Sequence, residues 1–308
     1  HRTNRVYRQS RQRGRGTSAS RFQYRLWFGR IERAAVTVKK ATSARRPIVV
    51  KLGGELLEEA SSLRRMARAL AELAVREPLV VVHGGGQEIN ADLAKHGIPK
   101  RSVDGLRITD GDTLNIVVGV LAGRVNTRLV AAISAAGSSA VGLTGADASL
   151  VPVRRERAYR SADGTSWNLG YVGRPHSIEP PKLLTDLLNT GHTPVVASIS
   201  AGAKGQLYNV NADTLASHIA GRLKADRLVI TGSTNGVFGR SGKTIPTLDD
   251  TSMTRVINDG SASAGMIAKL LACREALRNG VGTVTIINGR NARRGLFERV
   301  VRGTVLTQ

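Results

Sequence analysis

Two apolar runs of the sequence end in clustered glycines, and the first also carries a lysine. Residues 48–54 read Ile-Val-Val-Lys-Leu-Gly-Gly, and residues 79–86 read Leu-Val-Val-Val-His-Gly-Gly-Gly. Backbone N–H groups at residues without a Cβ can approach a ligand closely, and a cluster of them binds anions. Tight turns would explain one such loop, but two at adjacent strand ends predict a cradle for phosphate.

A cluster of amides and a carboxylate precedes a later helix. Residues 209–213 read Asn-Val-Asn-Ala-Asp and lead into a run of small residues. Asn and Asp at the start of a helix are most often caps. Two amides and a carboxylate within five positions exceed what one cap requires. Asp213 is therefore a candidate for holding lysines in place, and Asn209 for hydrogen-bonding a substrate.

Two basic residues stand where an anionic ligand would suit them. Lys269 ends the segment Gly-Met-Ile-Ala-Lys, which opens the last long predicted helix. A lysine in a first turn opposes the helix dipole, and bound phosphate would offset that conflict; the alternative is a solvated surface lysine. Arg107 follows a glycine loop and precedes a helix cap. It is a candidate for clamping a carboxylate bidentately, although a lone loop arginine is usually a surface charge.

Other kinds of site are disfavoured by the residues present. Residues 239–244 resemble the end of a P-loop, but Val237 stands where that motif requires glycine. No Ser-His-Asp order, spaced His pair or dinucleotide fingerprint stands out. His83 precedes glycines, which would suit a catalytic residue, but we interpret it as a structural residue that forms hydrogen bonds. Cys273 is the only cysteine, which excludes an intrachain disulfide and a cysteine zinc site and suits a reducing cytoplasm. The sequence predicts no metal site of its own.

The elements that must position these residues alternate between strands and helices from residue 47 onward. Short β-branched runs predict strands at 47–52, 79–83, 139–144, 193–199, 227–231 and 283–287. Caps and glycine or proline stops predict helices at about 60–76, 112–136, 181–189, 212–223 and 264–278. This order predicts an α/β fold with a mainly parallel sheet covered on both faces. Ligands then bind beyond the carboxyl ends of the strands.

Two segments interrupt this alternation. Residues 150–172 resemble a β-hairpin with its turn at 162–165, which would cover a site as a lid or decorate a sheet edge. The most apolar stretch, residues 114–136, is interrupted by Arg124 and Arg128. No membrane-spanning segment is therefore predicted.

The net charge of +23 is concentrated at the start of the chain. Residues 1–46 hold 14 of the 46 Lys and Arg residues and one acid, whereas the remainder carries 32 basic and 22 acidic residues. This composition predicts a disordered leader. Nucleic-acid binding, an organelle transit peptide and sequence upstream of the true start all explain it. We favour the last, because the chain begins with His1 rather than methionine.

Five motifs, taken together and in this order, resemble those of the amino acid kinase family. They are the segments 51–54, 83–86, 105–109, 209–213 and 265–269. The resemblance runs from about residue 47 to the C-terminus and implies a three-layer αβα sandwich of the carbamate kinase-like type. It also implies an N-terminal lobe, residues 47–200, that binds an acyl amino acid, and a C-terminal lobe, residues 201–308, that binds ATP.

The resemblance implies roles for individual residues. Lys51 and Lys269 match the lysines that stabilise the transferring phosphoryl group, and Asp213 matches the aspartate that organises them. Arg107 and Asn209 match residues that bind the far end of the substrate. Contacts with phosphate, the attacked carboxylate or the nucleotide are implied for Gly53, Gly54, Gly85, Gly86, Thr231 and Gly236.

Within the family the closest likeness is to members that phosphorylate N-acetyl-L-glutamate, the second step of arginine biosynthesis. The implied reaction uses ATP with Mg²⁺ and gives ADP and the 5-acyl phosphate. The carboxylate is itself the nucleophile, so positioning and charge stabilisation suffice without a protein base. Kinases for carrier-linked or N-acetylated α-aminoadipate in lysine biosynthesis are an alternative within the fold. A basic nucleic-acid-binding protein is the alternative from another class.

Two departures from the family pattern bear on these expectations. The nucleotide-site strand usually ends in Thr or Ser followed by Asp, whereas here Gly232 follows Thr231. The leader does not resemble the N-terminal helix through which arginine-inhibited members form hexamers. We therefore expect a cytoplasmic homodimer that pairs through the helix at 112–136, and no inhibition by arginine is predicted.

Overall fold

The computed structural model describes residues 45–161, 164–260, 262–291, 296 and 303–308. Most of the predicted leader lies outside this part of the chain, as do two residues of the turn predicted at 162–165. The described strands are β1 Ile48–Leu52, β2 Leu79–His83, β3 Ser102–Val103, β4 Leu106–Arg107, β5 Ala140–Thr144, β6 Val153–Arg155, β7 Tyr159–Arg160, β8 Ser166–Trp167, β9 Gly173–Pro175, β10 Thr193–Ala197, β11 Ile199–Ala201, β12 Leu207–Asn209, β13 Arg227–Gly232, β14 Thr247–Leu248, β15 Thr283–Asn288 and β16 Gly303–Leu306.

An eight-stranded sheet forms the centre of the described molecule, in the order β14-β16-β15-β13-β1-β2-β10-β5. Its neighbours run parallel, except that β16 is antiparallel to β15. β1 lies between β13 and β2, with Lys51 opposite Ile230 on one side and Val82 on the other. The carboxyl ends of these three strands therefore meet at one edge of the sheet, where both glycine loops begin.

Helices cover the two faces of this sheet. They are α1 Ala60–Arg76, α2 Gly86–Lys95, α3 Gly111–Val118, α4 Asn126–Ala135, α5 Lys182–Asn189, α6 Ala212–Arg222, α7 Asp250–Asn258 and α8 Ala264–Arg278. Buried residues of α1, α2, α3 and α4 form one apolar core against the sheet, and those of α5, α6, α7 and α8 form a second core on the other face. The predicted fold class, a three-layer αβα sandwich, is confirmed.

The alternation of side chains along β1 assigns Lys51 to one of these faces. Val50 and Leu52 belong to the core with α1, whereas Val49 belongs to the core with α6 and α8. Successive side chains of a strand point to opposite faces. Lys51 therefore lies on the same face as Val49, towards α6 and α8.

Most predicted elements are confirmed with small changes in their bounds. The six predicted strands correspond to β1, β2, β5, β10, β13 and β15, and α1 has the predicted bounds. The strand predicted at 193–199 is divided, because β10 ends at Ala197 and β11 pairs with β12 in a separate sheet. α2, α7, β14 and β16 were not predicted. α7 starts with a capping box between Asp249 and Ser252.

The segment predicted as one hairpin forms two antiparallel strand pairs. β6 pairs with β9, and β7 pairs with β8. The outer pair extends to Pro175, three residues beyond the predicted end. Tyr171 of this segment donates its backbone N–H to the carbonyl oxygen of Thr109, at 2.7 Å. The segment is thus joined to the loop that follows Arg107, and its action as a lid stays a prediction.

The helix predicted at 112–136 is continuous over residues 111–135, with a π-helical stretch at Gly119–Val125 between α3 and α4. By length and composition alone it could cross a membrane, contrary to the expectation that its arginines rule this out. Here it packs in the core that contains α1. Arg124 pairs with Asp92 at 2.6 Å, and Arg128 pairs with Glu88. Both charges are thus held by α2 within the fold.

Two residues that we assigned to the leader, Arg45 and Arg46, contact the chain that follows. The guanidinium group of Arg46 donates to the carbonyl oxygens of Lys224, Ala225 and Gly280, at 2.5, 3.0 and 2.5 Å. These carbonyls lie just beyond the ends of α6 and α8, where a cation is favourable. Arg45 also pairs with Glu77. The boundary between leader and kinase domain at residue 47 stays a prediction.

Candidate active site

Three charged side chains from three elements meet at the carboxyl edge of the sheet. Asp213 forms ion pairs with both lysines. Its Oδ1 lies 2.8 Å from Nζ of Lys51, and its Oδ2 lies 2.7 Å from Nζ of Lys269. The three side chains are only 11–16% exposed. Asn211 caps α6 by accepting the N–H groups of Asp213 and Thr214. Because Asn211 supplies the cap, the carboxylate of Asp213 remains available for ion pairs with both lysines.

The charges at this point favour an anionic ligand. Burial works against the ionised carboxyl of Asp213, but the two ammonium groups outweigh it and hold its pKa well below the usual value. Burial also opposes the charge of Lys269, and Asp213 outweighs that effect, so the pKa of Lys269 is raised. Two cations and one anion are therefore held together with little water. The net charge of these three side chains is positive, which favours the binding of a phosphoryl group.

The two glycine loops lie directly against each other beside these lysines. A Cβ built on Gly54 would lie 3.0 Å from the backbone nitrogen of Gly86. Gly86 is the first residue of α2, whose N-terminal N–H groups and dipole favour anions. A Cβ on Gly84 would contact Ala212, at the start of the helix that carries Asp213. Both loops and the buried charges thus form one continuous site.

Arg107 is oriented toward this site by α2. Its Nη2 donates to Oδ1 of Asn90 at 2.5 Å and to the carbonyl of Gly86 at 3.3 Å. Its Nη1 is buried and has no hydrogen-bond partner among the described residues. Burial lowers the pKa of the guanidinium group. One edge of the guanidinium is therefore fixed and the other lacks an acceptor, which suits the carboxylate of a ligand.

Asn209 is connected to Arg107 through Thr109. The Nδ2 of Asn209 donates to Oγ1 of Thr109 at 3.2 Å, and that hydroxyl donates to the carbonyl of Arg107 at 3.1 Å. The turn before Arg107 reaches across to the last helix, since a Cβ on Gly105 would lie 3.6 Å from the Cα of Gly265. The two residues predicted to bind substrate thus belong to one hydrogen-bond network.

Comparison with known proteins decides the family. The model of the amino acid kinase family matches residues 46–288, which is most of the chain. The chain belongs to the amino acid kinase family. It is 41% identical over 265 residues to the acetylglutamate kinase of Acidiphilium cryptum (strain JF-5), and the match covers 84% of this chain and 88% of that protein.

Solved structures share the fold of this amino acid kinase. N-acetylglutamate synthase from Neisseria gonorrhoeae, complexed with coenzyme A and N-acetyl-glutamate, matches with a TM-score of 0.74 and 23% identity. The match covers 85% of this chain and 59% of that one, so the chain spans well under two thirds of the synthase. Giardia carbamate kinase matches with a TM-score of 0.63 and 13% identity, over 86% of this chain and 99% of that one. At these identities the likeness shows the fold alone.

Two residues predicted to bind the nucleotide serve as supports in this member of the family. Thr231 is fully buried, and its hydroxyl donates to the carbonyl of Lys51 at 2.9 Å and accepts the N–H of Gly53 at 3.4 Å. Gly236 has a φ of +110°, and a Cβ there would lie 2.8 Å from the backbone nitrogen of Thr304. Thr231 thus supports the backbone at the first glycine loop, whereas Gly236 packs against β16. Contact of either residue with a nucleotide stays a prediction.

The sequence analysis misplaced Lys269 within its helix. α8 begins at Ala264, after the cap at Ser263, so Lys269 lies in the second turn rather than the first. The conflict with the helix dipole is correspondingly weak, because that effect fades beyond the first turn. What fixes Lys269 is its ion pair with Asp213, a contact across 56 residues that no local pattern displays.

His83 is buried below the second glycine loop and is held by a residue that the sequence analysis missed. Its Nδ1 lies 3.1 Å from the carbonyl of Gly84, and its Nε2 lies 3.0 Å from Nδ2 of Asn126, the first residue of α4. Burial lowers its pKa to about 4. A neutral ring with its proton on Nδ1 satisfies both contacts. The interpretation of His83 as a structural residue therefore agrees with its position.

Proposed function

We propose that this chain transfers the γ-phosphoryl group of ATP to the side-chain carboxylate of N-acetyl-L-glutamate, as in the second step of arginine biosynthesis. The single observation that carries the proposal is the buried pairing of Lys51 and Lys269 through Asp213, beside two touching glycine loops. The 41% identical relative named acetylglutamate kinase supports the substrate. The comparisons support neither the aminoadipate kinase nor the nucleic-acid-binding alternative.

The arrangement suits an in-line transfer in which the substrate supplies its own nucleophile. A carboxylate oxygen forms a bond to the γ-phosphorus while the bond to the β,γ-bridging oxygen breaks, and ADP leaves with that oxygen. Lys51 and Lys269 neutralise charge on the transferring group, and Asp213 holds their positions. Backbone N–H groups of Gly53, Gly54, Gly85 and Gly86 would donate to phosphate and carboxylate oxygens. No proton has to be removed, so no general base is required.

The remote end of the substrate would be held by the network around Arg107. Its unpaired Nη1 is suited to the α-carboxylate, because a buried guanidinium hydrogen without an acceptor is unfavourable. Asn90 fixes the opposite edge of the guanidinium group. Asn209 would add an amide contact to the same end. This division leaves the side-chain carboxylate free to face the glycine loops.

Mg²⁺ belongs to the proposal together with ATP, since a divalent ion on the phosphates lowers their charge during transfer. The predicted homodimer through the helix at 111–135 and the predicted cytoplasmic location are likewise proposals. The single buried cysteine, Cys273, suits that location.

Trapping the acyl phosphate tests the proposal directly. The full chain is incubated with ATP, Mg²⁺ and hydroxylamine, and hydroxamate formation is compared for N-acetyl-L-glutamate, glutamate and N-acetyl-α-aminoadipate. We expect hydroxamate with the first substrate and ADP release at the same rate. Absence of both products would refute the proposed function. Hydroxamate formed only from the aminoadipate derivative would favour that alternative substrate.

A further inference from the structure

Glu55 is an acidic side chain beside the glycine loops that are proposed to bind phosphate, and the proposed function assigns it no role. Glu55 belongs to the short 3-10 turn Gly54–Leu56 that follows β1. Its carboxylate folds back over Gly53, where any Cβ would collide with it. Its Oε1 would lie 3.8 Å from a Cβ built on Gly232, at the end of β13. Glu55 thus occupies the space between the ends of two neighbouring strands of the sheet.

The side chain of Glu55 is exposed, and among the described residues its carboxylate has neither a hydrogen bond nor an ion pair. It nevertheless acts on the site, because its charge is one of the contributions that raise the pKa of Lys269. The neighbouring acids Glu58 and Glu59 follow toward α1. Burial and the charges of Glu88, Glu55 and Glu59 raise the pKa of Glu58. An acid placed among lysines and glycine loops that suit phosphate requires an explanation, since bare phosphates and a carboxylate repel each other.

A divalent cation resolves this repulsion. Mg²⁺ binds oxygen ligands and is commonly held by one or two carboxylates together with the phosphates of a substrate. We propose that Glu55 holds the divalent cation that accompanies ATP. The proposal rests on the proposed use of ATP with Mg²⁺ and adds the protein ligand of that ion.

Two observations support this position for the ligand. Gly232 follows Thr231 where the family pattern has an acid, and Glu55 fills the space beside it. The described residues contain no group of three or more His, Cys, Asp or Glu side chains able to hold a metal. Glu55 therefore needs the phosphate oxygens as further ligands, and the ion is expected to bind with the nucleotide rather than before it.

Calorimetric titration of ATP, with MgCl2 or with EDTA, separates this role from a general effect on the lysines. Wild-type protein is expected to bind ATP more tightly with Mg²⁺. Glu55→Gln is expected to reduce that advantage by about tenfold or more, because the carboxylate ligand is lost. Binding of metal-free ATP should be unchanged or tighter, since the repulsion is removed. Glu59→Gln makes the same charge change four residues away and should behave as wild type.

A second variant tests the proposal by placing a carboxylate at the end of β13 instead of at position 55. The only described atom within 4 Å of a Cβ on Gly232 belongs to Glu55, so the Cβ of Gly232→Asp meets no backbone. The double variant with Glu55→Gln and Gly232→Asp is expected to regain the Mg²⁺ advantage. Glu55→Gln protein that kept the full advantage would overturn the inference while leaving the proposed function intact. Wild-type protein that bound no nucleotide under either condition would overturn both.

Discussion

Gly54 and Gly85 touch: a Cβ placed on Gly54 would lie 2.9 Å from the Cα of Gly85. The atom in the way is backbone, so it cannot turn aside as a side chain would. Gly54→Ala is therefore expected to push the two loops apart and displace the N–H groups of the cradle. Displacement of about 1 Å lowers kcat by about a hundredfold. Steady-state kinetics with N-acetylglutamate and MgATP measures this effect.

A matched variant distinguishes displacement from the mere presence of a methyl group. A Cβ on Gly111, at the start of α3, meets nothing within 4 Å among the described residues. Gly111→Ala is expected to keep kcat within about twofold, since it makes no contact with the loops. Equal losses in the two variants would contradict the idea that contact between the loops is what excludes a side chain at Gly54.

Removal of the Lys269 ammonium group should impair the chemical step. Lys269→Ala is expected to lower kcat by roughly two or more orders of magnitude, the scale for one preorganised electrostatic group. Asp213 keeps its ion pair with Lys51, so the fold should persist, as circular dichroism can check. A nearly normal kcat would return Lys269 to the role of a solvated lysine.

Arg107 should affect one substrate and not the other. Arg107→Lys keeps the positive charge but loses the planar fork that Asn90 holds. We expect a large rise in KM for N-acetylglutamate and little change in KM for ATP, because the contact acts at the end remote from transfer. A similar rise in both KM values would argue against a substrate clamp.

His83 makes stability depend on pH in a defined window. Its folded pKa is about 4, below the value of about 6.5 expected in the unfolded chain. The unfolded state therefore binds more protons between these values. The His83 contribution is complete above pH 6.5 and is lost as the pH falls toward 4. A gap of this size corresponds to about 3 kcal/mol.

Urea unfolding at pH 7 and pH 4.5 measures this contribution. His83→Gln is expected to lose less stability between the two pH values than wild type does, because it carries no group that titrates at this position. His218, whose pKa burial also lowers to about 4, remains in both proteins and preserves part of the pH dependence. Parallel losses in the two proteins would show that His83 does not titrate with unfolding.

Two truncations locate the start of the folded body. Deleting residues 1–35 is expected to leave kcat, both KM values and the melting temperature unchanged, because every predicted site residue lies beyond and the segment has little apolar content. Deleting residues 1–46 also removes Arg46 and its three carbonyl contacts. Charged hydrogen bonds of this kind contribute about 1–3 kcal/mol, so this second protein and the single variant Arg46→Ala should both melt earlier.

Loss of activity on deletion of residues 1–35 would show that the leader is required for catalysis. Loss of nucleic-acid affinity alone would instead support the binding function considered for that segment. Limited proteolysis of the full chain supplies an independent measurement, since cleavage is expected first within residues 1–35.

Local patterns predicted those parts of the molecule whose signals are local. β1 and β2 are continuous apolar runs that end in glycine, and the buried positions of α1 recur with helical spacing, so their bounds were predictable. α2 was missed because it begins inside the glycine loop itself, at Gly86. β16 is antiparallel to β15 at the edge of a parallel sheet, a pairing set by tertiary contacts rather than by its own four residues.

The candidate site likewise contains residues that the sequence identified and residues that it did not. Lysines, glycines and Asp213 were recognisable because the motifs that contain them are short and ordered. The supporting residues were not, because each acts on a partner far away in sequence: Asn90 on Arg107 across 17 residues, and Asn126 on His83 across 43. Glu55 carried no signal, since its significance depends on the absent side chain of Gly232 on a strand almost 180 residues away.

The short distance between Glu55 and Gly232 constrains how these two positions can evolve. An aspartate at position 232 beside the existing Glu55 would place two carboxylates close together, and like charges so close resist ionising together. Among related chains the two positions are therefore expected to exchange the acid between them, each strand compensating for its loss from the other. If position 232 is compared alone, the acid of β13 is missing in this chain. If positions 55 and 232 are compared together, one carboxylate is expected at the same point in space in each chain.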